Sequence, residues 1–300
     1  MPLFRFGFDA MASPNELQLW HDDESRAGTL AEAAIADVRR IEAKYSRYRD
    51  DSVTARINRA AGGAAVAIDA ETYALLCYAD HCHRLSAGRF DITSGVLRRA
   101  WDFRRSPTRL PDQDEIAAAL ALIDWPDVEW TRRSVRLPRP GMEIDFGGIG
   151  KEYAADRMAT ICYDGGALHA LANLGGDVRA AGPQQDGSPW RVGISHPRQA
   201  DAVMATVEIH GGAVATSGDY QRFFDAGGRR YCHIIDARSG QPVTRWQSVS
   251  VIAPLCVLAG SCATIAMLFE GEAEAFLARQ GVEYLAVDSA GVLHKSAAPA

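Results

Sequence analysis

Apolar and polar residues alternate with period two along residues 3–8 and 15–20. The alternation predicts two strands joined by the turn-like run Met11-Ala-Ser-Pro14. The period then lengthens. Leu30, Ile35, Val38, Ile41 and Tyr45 form one stripe, and Thr29 with Glu32 makes a capping-box pattern, so a helix is expected over 29–45. A second helix is expected over 69–85, carrying Leu75, Leu76, Ala79, Cys82 and Leu85 with Gly88 just beyond its end, and a third, Ala-rich one over 115–123. Short β-like runs follow at 128–131, 134–137 and 143–146.

Beyond residue 150 the pattern changes. A helix over 151–163 leads into strands at 168–174, 190–195, 205–210, 230–236 and 248–253. Helices over 257–269 and 272–280 and a hairpin over 284–294 close the chain. Strand runs broken by helices at irregular intervals predict an α+β fold of mixed and antiparallel sheets with packed helices. There is no repeat or linker, so residues 1–300 read as one large domain or two intimate lobes.

Composition narrows the partners. A net charge of −6 argues against a nucleic-acid or acidic-membrane surface, and the arginine pairs Arg104-Arg105, Arg132-Arg133 and Arg229-Arg230 read as solvated faces. No run of eighteen apolar residues predicts a membrane span. The N-terminus lacks the apolar core of a signal peptide. As given, the chain reads as cytoplasmic, or as periplasmic with an export segment removed. Six cysteines without a C-x-x-C pair read as small hydrophobes. In His81-Cys82-His83, residues two apart do not share a helix face, which argues against a metal there.

The densest chemistry lies in Asp145-Phe-Gly-Gly-Ile-Gly-Lys-Glu-Tyr-Ala-Ala-Asp156, which runs into a helical pattern. Glycines at a helix start let backbone N–H groups approach an anion, and Lys151 adds charge. The run is not a Walker A loop, because Asp145 replaces its first glycine and Glu152 its Ser/Thr. Further glycine- and acid-bearing turns occur at residues 88–93, in Asn173-Leu-Gly-Gly-Asp177 and in Ala215-Thr-Ser-Gly-Asp-Tyr220. Each alone reads as a turn; together they suit an extended, phosphate-bearing ligand. His233 sits in an apolar run ending at Asp236 and Arg238, which reads either as a core histidine or as one oriented for proton transfer.

With Trp190-Arg-Val-Gly-Ile194 and His233-Ile-Ile-Asp236, these motifs resemble the ApbE family, the FAD:protein FMN transferases. The resemblance begins near Met11, passes through residues 46–52 and 88–91, and runs to about Gly271. It implies cleavage of FAD at its pyrophosphate, transfer of FMN to a threonine or serine of an acceptor flavoprotein, and release of AMP. Some members instead hydrolyse FAD to FMN and AMP. Carried onto this chain, the resemblance assigns nucleotide contacts to Met11, Tyr48, Arg89, Phe90, Asp91, Asp145, Lys151 and Ile234, and catalysis to His233. It further implies a Mg²⁺ ion held by the Gly148 backbone carbonyl, by Thr264 and by an aspartate four residues before that threonine. Gly260 stands at the aspartate's position. Three readings follow: another acid or Ser261 substitutes, the cation binds with more water, or the chain binds FAD without transferring FMN.

Overall fold

The computed structural model describes residues 1–103 and 109–296. Arg104 and Arg105 lie outside the described residues. An eight-stranded antiparallel sheet runs in the order Leu3–Ala10, Ser13–Trp20, Ala170–Leu174, Asp177–Ala180, Gly212–Gly218, Trp246–Ala253, Glu283–Asp288 and Leu293–Lys295. Helices α1 (Glu24–Tyr45), α2 (Val53–Arg59), α3 (Ala70–Leu85), α4 (Gln113–Leu120), α5 (Gly150–Asp164), α6 (Cys256–Phe269) and α7 (Ala273–Gln280) follow in chain order.

Side-chain alternation along the central strands decides what each face meets. Ala213 and Ala215 join the main core, where α6 lies on the sheet and α5 packs between α6 and α1. Val214 points the other way, onto Trp190, Val192 and Ile209 of the ribbon formed by Trp190–Ser195 and Val203–Ile209. The small residues of Gly212–Gly218 let α6 approach closely. A smaller aromatic cluster joins Trp101, Phe224 and Tyr231, with ring centroids 5.4 to 6.4 Å apart. It anchors the hairpin Phe223–Ala226/Arg229–Cys232 to the 3-10 helix Ile92–Arg99.

Several expectations are corrected. The first helix starts five residues early because Asp23, not Thr29, caps it, accepting from Arg26 N at 3.1 Å; Thr29 instead donates back to Ser25 O. Residues 143–146 form no strand, since Ile144 exchanges its backbone hydrogen bonds with the Asn58 side chain. The expected strand over 230–236 breaks at His233 into Arg229–Cys232 and Ile235–Asp236. Two strands of the main sheet, Asp177–Ala180 and Gly212–Gly218, take in the end of one expected turn, at Asp177, and most of another, Ala215–Gly218. The segment Cys256–Gln280 is long and apolar enough to cross a bilayer, but 61% of its most apolar window is buried in the protein. The chain turns between α6 and α7 at Glu270, whose φ is 48°.

Candidate active site

Residues 145–149 form the turn that starts α5. Asp145 Oδ1 accepts from Gly147 N at 2.9 Å, closing an Asx turn, while Asp145 N donates to Ile92 O at 2.8 Å. A Cβ at Gly148 would lie 3.0 Å from the Phe90 ring, so any larger residue there would push against that ring. No side chain caps α5, and its first-turn N–H groups carry the positive end of the helix dipole. Lys151 Nζ pairs with Asp177 Oδ2 at 2.6 Å. Burial pulls the Lys151 pKa down, but the negative charges of Asp177 and Glu152 together outweigh it and the net shift is upward.

The Asn173–Asp177 hairpin draws the first turn of the chain to the same place. A Cβ at Gly175 would lie 2.7 Å from Ser13 Oγ and 3.6 Å from Lys151 Nζ. Met11 and Ala12 take φ of 53° and 59°, a left-handed pair that favours glycine, and Met11 N is held by Glu42 Oε1 at 2.7 Å.

The outer edge of the site is built from ion pairs. Arg47 bonds Asp145, donates to Tyr48 Oη at 2.9 Å and lies over the Tyr48 ring, which is 59% exposed. Arg89 pairs with Asp236 and sits over Phe269. Asp91 is buried, and its carboxylate accepts from Thr93 N, Thr93 Oγ1 and Trp125 N. It braces the turn carrying Arg89 and Phe90. Asp236 does not orient His233, since its oxygens accept from Arg89 and from Arg238 N.

His233 lies at the break between two short strands, where its N–H donates to Arg222 O and Ile234 next to it is buried. Its Nδ1 is buried with no hydrogen-bond partner. Burial, then Arg222, Lys151 and Arg47, push the imidazole pKa down to about 4, so the ring is neutral at neutral pH.

Behind this edge lies the contact of α5 with α6. Asp156 caps α6 from α5, accepting from Cys256 N at 2.8 Å and Val257 N at 2.9 Å while pairing with Arg179. Thr264 Oγ1 and Ser217 Oγ lie 2.7 Å apart. Glu152 is buried, and its Oε2 has no hydrogen-bond partner. Burial first, then the charge of Asp177, lift its pKa to about 8. A buried, unpartnered carboxylate oxygen near a threonine helix face is hard-donor chemistry that fits Mg²⁺. Among the described residues no cluster of three His, Cys, Asp or Glu side chains has metal-holding geometry, so a cation here would need backbone, hydroxyl or substrate oxygens as well.

Sequence reading assigned no site role to Arg47, Glu152, Asp156, Asp177 or Ser217. All five fall within motifs that reading had marked, but nothing in one dimension shows which of them meet.

The profile of the ApbE family matches residues 11–286. A relative from Klebsiella pneumoniae (strain 342), named FAD:protein FMN transferase, is 34% identical over 247 residues, spanning 81% of this chain and 75% of the relative. A protein of the same name from Treponema pallidum (strain Nichols) is 34% identical over 265 residues, spanning 81% and 73%. The crystal structure of the ApbE protein from Thermotoga maritima superposes with a TM-score of 0.89 at 32% identity, covering 98% of this chain and 97% of that one. The apo form of the Pseudomonas stutzeri flavinyl transferase ApbE gives 0.87 at 28% identity, covering 98% and 95%. Together with the site's architecture, these likenesses make this chain a member of the ApbE family.

Proposed function

We propose that this protein transfers FMN from FAD to a serine or threonine hydroxyl of an acceptor flavoprotein and releases AMP. The observation that carries the reading is His233, a neutral imidazole with a buried, unpartnered Nδ1 in the positive field of Arg222, Lys151 and Arg47. A neutral ring accepts a proton, and the cations around it suit a pyrophosphate.

In the step proposed, the acceptor oxygen attacks the FMN-side phosphorus. A P–O bond to the acceptor forms, the bond to the bridging oxygen breaks, and AMP leaves with that oxygen. The hydroxyl proton passes to His233. The pyrophosphate's negative charge offsets the cations that depress the imidazole, bringing its basicity nearer the working pH. Lys151 and the N–H groups opening α5 hold the pyrophosphate, while Met11, Tyr48, Arg89, Phe90 and Ile234 border the nucleotide. Asp145 fixes the turn and Arg47. The Gly148 carbonyl and Thr264 hydroxyl would hold Mg²⁺, which when bound neutralises charge developing on the phosphates.

The test is incubation with FAD and Mg²⁺, with and without an acceptor flavoprotein, following AMP by chromatography and protein mass. Acceptor gaining one FMN for each AMP released supports transfer. AMP released equally without acceptor makes the protein a pyrophosphatase, and FAD bound without AMP makes it a binding protein.

A further inference from the structure

We infer that Glu152 supplies the carboxylate for the cation site, entering from α5 into the space an aspartate at position 260 of α6 would fill. The inference rests on the transferase reading for the identity of the cation. Three observations carry it, each independent of that reading.

The first is steric. A Cβ at Gly260 would lie 2.6 Å from Glu152 Cγ, 2.7 Å from Oε1 and 3.0 Å from the carboxyl carbon. The Glu152 carboxylate therefore occupies the volume that any side chain at 260 would need first. Thr264, one helical turn further along α6, lies on the same helix face as Gly260.

The second is a pairing argument. Three acids, Glu152 and Asp177 buried and Asp156 half-buried, gather where α5 meets α6 and the neighbouring hairpin. Asp177 has Lys151 at 2.6 Å. Asp156 has Arg179 at 3.1 Å and two N–H groups of α6. Glu152 alone of the three has no cation in an ion pair, and its Oε2 has no hydrogen-bond donor. A buried carboxyl group in that state either keeps its proton or takes a positive partner, and a divalent cation is a partner that displaces the proton.

The third removes the competing donor. The Ser261 hydroxyl donates to Val257 O at 2.7 Å and receives the Tyr78 hydroxyl at 3.0 Å, so it is already engaged within α6 and with α3. A single carboxylate completed by backbone, hydroxyl and substrate phosphate oxygens is the usual manner of Mg²⁺ binding. The glycine at 260 then marks a carboxylate moved between helices, and the reason to read the chain as a non-transferring FAD binder falls away.

Mn²⁺ binding followed by electron paramagnetic resonance, with and without FAD, tests the inference, alongside flavin fluorescence in EDTA and melting temperature. Glu152→Gln keeps the shape and should weaken Mn²⁺ by at least about tenfold, while FAD binding in EDTA persists. Mg²⁺ should raise the melting temperature of the parent and leave that of the variant unmoved. Gly260→Asp alone should bind Mn²⁺ no more tightly than the parent, because Glu152 already fills the space. Glu152→Gly combined with Gly260→Asp should recover most of the lost affinity. Unchanged Mn²⁺ affinity in Glu152→Gln overturns the inference, as does tighter binding in Gly260→Asp alone. If Gly260→Asp fails to fold, the Gln variant still decides. Failure of the parent to bind FAD with Mg²⁺ present would instead refute the transferase reading, and Mn²⁺ binding without FAD would still report on Glu152.

Discussion

The outer edge of the site and the α5–α6 contact behind it use charge in opposite ways. At the edge, Arg47–Asp145 joins half-buried groups beside the exposed Tyr48, and Arg89 reaches in to the buried Asp236. Arg47 borders the opening of the site, where water and a bound anion can replace what is lost. At the contact, Asp156, Asp177 and Glu152 are largely cut off from water, and losing one partner strands the other. The difference teaches that the edge is made for binding and proton transfer, and the contact for holding two helices and a cation in register.

The largest effect expected from breaking this division is at His233. His233→Ala should slow AMP release by about 10²- to 10⁴-fold while leaving FAD affinity, read by flavin fluorescence, nearly unchanged. Equal loss of both would make the histidine structural. Next comes Asp156→Ala, which removes two N–H acceptors of α6 and unpairs Arg179. It should destabilise the protein by about 3 kcal/mol in urea denaturation. A loss no greater than that of an edge variant would dissolve the distinction between the two regions. Arg47→Ala should do the reverse, weakening FAD by about tenfold, or ~1.4 kcal/mol. Its effect on stability should stay under about 1 kcal/mol.

The smallest expected effect is on pH dependence. A base whose pKa is lowered keeps its proton-accepting form to more acid pH, so the acid limb of kcat/KM should fall nearer 4 than the usual histidine value of 6.5. The limb of kcat should lie higher, since bound pyrophosphate offsets Arg222, Lys151 and Arg47. Coincident limbs near 6.5 would mean that the cations do not face the ring in solution.

Much of this arrangement was legible along the chain. Alternation located the first hairpin, and the glycine-rich run located the start of α5. Gly212–Gly218 escaped because alanine, threonine, serine and glycine carry no strong strand signal; its pairing with Trp246–Ala253 and its contact with α6 make it a strand. Residues 143–146 alternate like a strand but give their hydrogen bonds to Asn58, a partner 86 positions away. His233 read as part of a continuous strand because no turn residue marks the break beside it. Gly260 was legible as a missing acid, and Glu152 only as a misfit to a phosphate loop. That one fills the other's place is a fact of helix packing, with 108 positions between them.

The approach of Glu152 to Gly260 has a historical consequence. A side chain at 260 and the Glu152 carboxylate compete for one space, and a chain with neither would keep only Asp156 and Asp177 here, both already paired. Passage between the two arrangements therefore crosses an intermediate that is either crowded or without that ligand. On the inference above, a change at either position is expected to be tolerated only together with a change at the other.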